Sequence, residues 1–261
     1  MKPVTELDAR GVRAVLLDID DTLTTDGRLT AQAYAALERL QEAGLRVVPV
    51  TGRPAGWCDH IARMWPVDAV VGENGAFYFF HDADRLHKRF HDSASVRAEK
   101  RARLEAVAAR ILAAVPGCAL ASDQPYRETD LAIDYCEDVP PLPLTAAERI
   151  ATLMREAGLT AKVSSIHVNG WFGDYDKLAM TRRLFAERLG LDLDGANRAV
   201  VFAGDSPNDA PMFAFFENSV GVANVRRFDL PNNPKYVTRA PTGAGFAELA
   251  EHLLVAKSRR G

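Results

Sequence analysis

Three short segments of the sequence combine acidic and small polar residues, and each follows directly on an apolar run. They read DIDDT at residues 18–22, TGR at residues 51–53 and GDSPND at residues 204–209. Asp18 and Asp20 are alternate residues, so in extended backbone both side chains point to the same side. Two such carboxylates repel each other, and with Asp205 they would form an oxygen-rich cluster that suits Mg²⁺ together with water and a phosphate oxygen. These residue types predict a metal-dependent reaction at phosphate.

Two of these acids are assigned to the reaction itself. When a metal ion offsets the negative charge of a substrate phosphate, a carboxylate can attack the phosphorus. The attack divides one difficult hydrolysis into two easier steps. We assign this role to Asp18, which would form an aspartyl phosphate. The leaving oxygen needs a proton and the second step needs a base, so Asp20 is assigned as general acid and base.

Five further residues are expected to bind the phosphate or to support the metal. Thr51 and the backbone amide of Gly52 stand at a strand end, where they can donate hydrogen bonds to phosphate oxygens. Lys177, near a predicted helix start, supplies positive charge for the reacting phosphoryl group. Asn208 is expected to bind phosphate, and Asp209 to bind or orient the metal with the other acids.

The elements that must position these residues alternate between strands and helices. The apolar runs are continuous, as expected for strands that are covered on both faces. Predicted strands lie at residues 13–17, 45–50, 69–71, 199–203, 219–222 and 236–238, and predicted helices at residues 30–44 and 176–189. This alternation predicts an α/β fold with a doubly wound, Rossmann-like parallel sheet, which binds ligands at the carboxyl ends of its strands.

The middle of the chain differs from this pattern. A charged helix is predicted at residues 93–115, strands at residues 131–135 and 162–168, and a helix at residues 145–158. We interpret residues 85–171 as an inserted α+β cap domain that determines substrate specificity. Residues 1–84 and 172–261 then form the catalytic core.

Five residues are candidates for contact with the substrate. Arg53 and Asn74 lie near the strand ends of the core. His167, Asn169 and Trp171 alternate just before the chain returns to the core, so they could line the active-site side of a cap strand. The alternative is that these three residues pack against the face of the cap sheet.

The composition excludes several classes of protein. The chain has 261 residues, 48% hydrophobic and 26% charged, which is typical of a soluble globular protein and allows more than one domain. A net charge of −3 is too small to attract nucleic acid or a membrane surface. Three cysteines without metal-site spacing, and a start without an apolar signal region, predict a reduced, cytoplasmic protein. The expected partner is a small phosphate ester.

The acidic segments have two other interpretations. Residues 18–29 could be a calcium loop, but Leu23 occupies the position that requires glycine and Leu29 the position of the bidentate glutamate. Acids at strand ends can also be simple helix caps and turns. Three such clusters at matching places favour a site.

The four motifs together resemble the haloacid dehalogenase superfamily of phosphatases. The match comprises DIDDT at residues 18–22, the threonine of residues 51–53, Lys177, and GDSPND at residues 204–209. An insertion between the second and third motifs is similar to the Cof-type subclass, which contains sugar-phosphate phosphatases and phosphomannomutase.

This resemblance implies specific metal contacts and a function. Asp18 and Asp205 would bind Mg²⁺ through their side chains and Asp20 through its carbonyl, with Asp209 in support. The implied activity is Mg²⁺-dependent hydrolysis of a small phosphorylated metabolite, a sugar or polyol phosphate. The alternatives are a phosphosugar mutase and a non-turnover phospho-aspartate signalling or binding protein, although Asp20 as a built-in base argues against a stable phospho-aspartate.

Overall fold

The computed structural model describes residues 1–258 and contains thirteen strands and seven α-helices over that range. The strands are β1 Lys2–Pro3, β2 Ala14–Leu17, β3 Arg46–Pro49, β4 Val70–Gly72, β5 Phe77–His81, β6 Leu86–Phe90, β7 Ala119–Leu120, β8 Leu131–Asp134, β9 Thr160–Val163, β10 His167–Trp171, β11 Val200–Gly204, β12 Asn218–Gly221 and β13 Tyr236–Val237. The helices are α1 Ala31–Glu42, α2 Ala55–Met64, α3 Ala94–Ala114, α4 Leu144–Glu156, α5 Lys177–Leu184, α6 Ala210–Phe215 and α7 Thr242–Ser258.

The core is a six-stranded sheet in the order β1-β13-β12-β11-β2-β3, with every neighbouring pair parallel. All four residues of β2 are buried because helices cover both of its faces. Val15 and Leu17 pack with α1 and α7, whereas Ala14 and Leu16 pack with α5 and α6. The predicted doubly wound parallel sheet is therefore confirmed.

Helix α1 shows how local sequence sets these elements. Thr30 caps its start by accepting a hydrogen bond from the Ala33 amide at 3.3 Å. Leu37 and Leu40 share the buried face, and Gly44 beyond its end has a φ of +74°, a conformation that glycine adopts at low cost. The helix therefore begins and ends close to the predicted residues.

A second, three-stranded antiparallel sheet, β4-β5-β6, extends the core. It is joined to the main sheet by a parallel bridge between Val50 and Val71. Strands β5 and β6 were not predicted from the sequence. Because β6 pairs with β5, we propose that the chain enters the cap near residue 91, a few residues later than the predicted division at residue 85.

The segment between the core halves forms a four-stranded antiparallel sheet in the order β7-β8-β10-β9. Helices α3 and α4 pack with these strands around one apolar cluster. One prediction here is wrong, because residues 162–168 form two strands rather than one. Ser164 accepts hydrogen bonds from the amides of Ile166 and His167 at 3.4 and 3.0 Å, which fixes a turn between β9 and β10.

In residues 1–258, no helix is both long enough and apolar enough to cross a bilayer. Cys58, Cys118 and Cys136 are all free thiols.

Candidate active site

The acidic segments meet at the carboxyl edge of the parallel sheet. Asp18 follows β2, Asp205 follows β11, and Asp209 lies in the turn that leads into α6. Carboxylate oxygens of these three residues lie within 4.8 Å of one another, and all three side chains are buried. The amide of Asp18 donates to the carbonyl of Ala203 at 2.9 Å, which continues the sheet pairing up to the site.

Lys177 is the cation of this cluster. It is the first residue of α5, and its Nζ lies 2.9 Å from Asp18 Oδ1 and 2.8 Å from Asp209 Oδ1. Burial alone would lower the pKa of Lys177, but the two carboxylates raise it above its ordinary value. Lys177 is therefore charged at neutral pH.

The cluster places three carboxyl groups beside the charge of Lys177. Burial raises the pKa of Asp18 to about 7, with the Lys177 charge opposing this change and the Asp209 and Asp20 charges adding to it. Burial and the charges of Asp209 and Asp18 likewise raise the pKa of Asp205 well above its ordinary value. Oxygen ligands with uncompensated negative charge are what a hard divalent cation requires, so the acids fit such an ion.

Several hydrogen bonds hold the acids in place. One oxygen of Asp209 accepts from the Asp205 amide at 3.1 Å, and its other oxygen contacts Lys177, so Asp209 is positioned to orient its neighbours. Thr22 and Asn224 donate to the two oxygens of Asp205 at 3.1 and 3.0 Å. Asn224 was not predicted, although it follows β12 and the strand-end argument applies to it equally.

Asp20 lies at the boundary of core and cap. Its carboxylate accepts hydrogen bonds from Arg53 Nε at 3.0 Å and Nη2 at 2.8 Å. The Arg53 side chain is 4% exposed and also contacts two acids of the inserted domain, Glu137 at 2.7 Å and Asp123 at 3.3 Å. The residue assigned as general acid is thus held by a guanidinium that the cap also binds.

The predicted phosphate-binding residues surround Asp18. Thr51 is buried and accepts a hydrogen bond from the Arg53 amide at 3.0 Å, and Asn208 accepts one from Ser206 at 2.7 Å. The Asn74 amide packs against Gly52, where an added Cβ would lie only 3.1 Å from Asn74 Nδ2. Among the described residues this buried Nδ2 has no hydrogen-bond partner, so it is a donor available to a ligand.

A cavity of about 20 Å³ lies above Asp18. Core and cap both line it, with Asp18, Asp20, Gly52, Arg53, Ser206 and Asn208 from the core and Arg127, Ser164, Ser165, Ile166, His167 and Asn169 from the cap. His167 and Asn169 are thus brought to the site, as the alternation of residues in β10 predicted. His167 Nε2 lies 2.8 Å from Glu137.

Trp171 occupies a different position. Its ring stacks on Tyr175 with centroids 5.7 Å apart, and its Nε1 donates to the Tyr175 carbonyl at 3.2 Å. It lines a separate cleft of about 150 Å³ that also reaches Asn74, Lys177 and Asn208. The packing interpretation of Trp171 fits this environment better than substrate contact does.

The sequence reasoning missed a set of charged residues at the junction of core and cap. These are Glu73, Asp123, Arg127, Asp130 and Glu137. Although burial opposes it, the neighbouring His167 and Arg53 lower the pKa of Glu137 to about 2. Their contacts between core and cap join residues at least 55 positions apart, so spacing gave no signal for them.

The chain is similar in sequence to known hydrolases. A model of the haloacid dehalogenase-like hydrolase family matches residues 15–98. A phosphoglycolate phosphatase from Haloarcula marismortui is 30% identical over 241 residues, which cover 90% of this chain and 94% of that protein. A phosphoglycolate phosphatase from Pyrobaculum neutrophilum is 28% identical over 248 residues, which cover 94% and 96% respectively.

A solved structure shows the same fold over almost the whole chain. The sucrose-phosphatase from Synechocystis, in complex with sucrose and phosphate, has a TM-score of 0.62 at 16% identity. The match covers 92% of this chain and 97% of that one, so both the core and the inserted domain are included.

Proposed function

The chain belongs to the haloacid dehalogenase-like hydrolase family and is a phosphatase that acts on phosphorylated small molecules, and we propose that it hydrolyses sugar or polyol phosphates through an aspartyl phosphate on Asp18. The observation that carries this proposal is the buried cluster in which Lys177 contacts Asp18 and Asp209 while Asp205 lies beside them. It brings the proposed nucleophile, a cation and oxygen ligands for the proposed metal to one point.

We propose Mg²⁺ as the metal, held by the side chains of Asp18 and Asp205 and the carbonyl of Asp20, with Asp209 orienting the shell. When bound, Mg²⁺ would neutralise phosphate charge and so lower the barrier to attack by a carboxylate.

In the first step, the Asp18 carboxylate forms a bond to phosphorus while the bond from phosphorus to the leaving oxygen breaks. Asp20 donates a proton to that oxygen, so the product leaves as a neutral alcohol. Thr51, the Gly52 amide, Asn208 and Lys177 hold the equatorial phosphate oxygens, whose charge grows in the transition state.

In the second step, water attacks the phosphorus and the bond to Asp18 breaks. Asp20, now ionised, accepts the proton from the water, which restores both acids to their starting forms. Inorganic phosphate is the product. Arg53 donates to both Asp20 oxygens and thereby fixes the direction of the carboxylate.

The cap side of the cavity suits a hydroxylated leaving group. Its lining includes the polar side chains of Ser164, Ser165 and Asn169. Arg53 and Arg127 also line it, but each is already paired with at least two carboxylates, so the lining has little free positive charge for a second anion. This balance supports a neutral sugar or polyol.

A second candidate substrate is 2-phosphoglycolate, which both relatives at 28–30% identity are named for. Its carboxylate would have to displace Glu137 from Arg53, where the two side chains are 2.7 Å apart. We expect kcat/KM for the best sugar or polyol phosphate to exceed that for 2-phosphoglycolate by about tenfold or more, since an unpaired buried charge costs over 1.4 kcal/mol.

A panel of phosphate esters, assayed for release of inorganic phosphate with Mg²⁺, measures this ratio. A preference for 2-phosphoglycolate would overturn the assignment of a neutral leaving group. An isomerised sugar phosphate in place of inorganic phosphate would show a phosphomutase instead. No turnover of any ester would contradict the hydrolytic function as a whole.

Binding of Mg²⁺ should depend on pH in a defined direction. The pKa of Asp18 is raised to about 7, so in the metal-free protein this carboxyl carries a proton below that pH. Mg²⁺ must then displace the proton, and its apparent affinity should fall by about tenfold or more per pH unit below about pH 7, because the raised pKa of the second ligand, Asp205, acts in the same direction. Calorimetric titrations with Mg²⁺ across this range test the claim, and an affinity that stays constant below neutral pH would contradict it.

A further inference from the structure

One loop of the cap donates hydrogen bonds to the core at two places. We call residues 127–130 the docking loop; it follows a short turn of helix at Gln124–Tyr126 and precedes β8. Its backbone amides and one side chain donate to a core carboxylate, and its guanidinium donates to a core carbonyl. These two contacts involve Glu73 and Arg127.

Glu73 is the core acceptor and is fully buried. Oε1 accepts from the amide of Glu128 at 2.9 Å, and Oε2 accepts from the amide of Thr129 at 2.7 Å and of Asp130 at 3.2 Å. The Thr129 hydroxyl adds a fourth hydrogen bond at 2.5 Å. Three successive amides directed at one carboxylate form a concave anion site, and here a core side chain fills it.

Arg127 makes the second contact. Its side chain is 1% exposed, and its Nη1 donates to the carbonyl of Gly52 at 2.9 Å. Asp123 binds two nitrogens of the guanidinium at 2.9 and 3.0 Å, and Asp130 binds the third at 3.0 Å. The direction of the guanidinium is therefore set entirely within the cap, which makes it a rigid donor to the core.

The Gly52 carbonyl belongs to the loop assigned to phosphate binding. The peptide unit between Gly52 and Arg53 is held at its oxygen by Arg127 and at its nitrogen by Thr51 Oγ1, which accepts at 3.0 Å. Glu73 holds the same segment further on, because its Oε1 also accepts from the Ala55 amide at 2.9 Å. Fixing this peptide fixes the orientation of the neighbouring Gly52 amide, which is the proposed donor to phosphate.

These contacts cannot persist throughout a catalytic cycle. The cavity over Asp18 measures about 20 Å³, which is room for roughly one water molecule and not for a phosphate ester. Asp18 and Lys177 are each only 4% exposed. The cap must therefore separate from the core for substrate to enter, and the docking loop lies on the cap side of that separation.

We propose that Glu73 and Arg127 are positioning residues that couple docking of the cap to the geometry of the phosphate-binding loop at Thr51–Arg53. The phosphate site is then complete only when the docking loop is seated on the core. This inference rests on the proposed phosphatase function for its kinetic readout, but phosphate binding can be measured without turnover.

The test compares Glu73→Gln, Arg127→Ala and the double variant with wild type in the presence of Mg²⁺. Each single variant should weaken binding of inorganic phosphate, measured by calorimetry, and lower kcat, each by roughly 10- to 100-fold, because small misplacements of binding groups have effects of this size. Since the two residues act on one loop, the double variant should lose little more than the worse single variant.

The matched control is Arg101→Ala. Arg101 donates to the Arg127 carbonyl at 2.7 Å, so it supports the docking loop without contacting the core loop. The Arg101→Ala variant should bind phosphate with an affinity within about threefold of wild type. Thr129→Val removes the hydroxyl donor to Glu73, together with its hydrogen bond to Tyr175, and should cause a loss of about two- to tenfold even if Glu73→Gln folds poorly.

Two results would overturn the proposal. One is phosphate affinity within about twofold of wild type in both single variants, with melting temperatures unchanged, since a positioning residue must alter the site it positions. The other is a fully additive loss in the double variant. Absence of turnover in wild type would instead contradict the phosphatase function, and phosphate affinities would still decide this inference.

Discussion

Replacing Asp18 with asparagine is expected to lower kcat by about 10⁴-fold or more, the range seen when a covalent nucleophile is removed. Asparagine has nearly the same shape but cannot attack phosphorus as a carboxylate does, and it removes one negative ligand from the metal site. The hydrogen bond from Lys177 at 2.9 Å can be kept by the amide oxygen, so the fold around the site should persist. Release of inorganic phosphate under multiple turnover measures the effect.

The matched control is Asp21→Asn in the same loop. Asp21 has a φ of +54°, a conformation that asparagine tolerates well, and it is not assigned to the reaction. Its kcat should remain within about threefold of wild type. If both variants kept wild-type activity, Asp18 could not be the nucleophile. If both lost it equally, the effect would belong to the loop and not to one carboxylate.

Replacing Lys177 with alanine is expected to lower kcat by about 10²- to 10³-fold, the usual effect of removing one group that stabilises developing charge. The loss should also depend on pH. The Lys177 charge lowers the pKa of Asp18, which burial raises to about 7, so without Lys177 that pKa must move upward. The ionised nucleophile then forms only at higher pH, and the lower limb of the pH–rate profile should shift to higher pH.

Lys235→Ala provides the comparison, because Lys235 is an exposed lysine of the core outside the site. It should show wild-type kcat and an unchanged pH profile. Thermal melts with Mg²⁺ check that Lys177→Ala remains folded, since two buried carboxylates lose their cation. A uniform loss of rate with no shift of the profile would contradict the assigned pairing of Lys177 with Asp18.

The sequence was sufficient for the core because its signals are local. Continuous apolar runs separated by helical periodicity require a covered parallel sheet, and the strand ends of such a sheet share one edge. The residues after β2 and β11 could therefore be placed together although nearly two hundred positions separate them. Strand β5 of the second sheet was missed because its aromatic run is followed directly by β6. That strand contains both charged and apolar residues, without clear alternation.

The cap side of the site could not be derived in this way. Thr129 and Glu73 are 56 positions apart and Arg53 and Glu137 are 84 apart, and these contacts exist only because the inserted domain packs on the core. The start of β10 could not be predicted either, because residues 162–168 have the pattern of one strand, whereas a turn at Ser164 divides them in the structure. Alternation still brought His167 and Asn169 to the cavity, whereas Trp171 lies in the separate cleft.

The central claim is that Asp18 becomes covalently phosphorylated. Sodium borohydride reduces an acyl phosphate to an alcohol, so wild-type protein quenched with borohydride during turnover of its best substrate should carry homoserine in place of aspartate at position 18. Peptide mass spectrometry identifies this product, and Asp18→Asn and a chelator-treated sample serve as controls. Homoserine at position 18 in the wild type alone is the predicted result. Steady turnover with no reduced residue at position 18, or with reduction at another acid, would contradict the account.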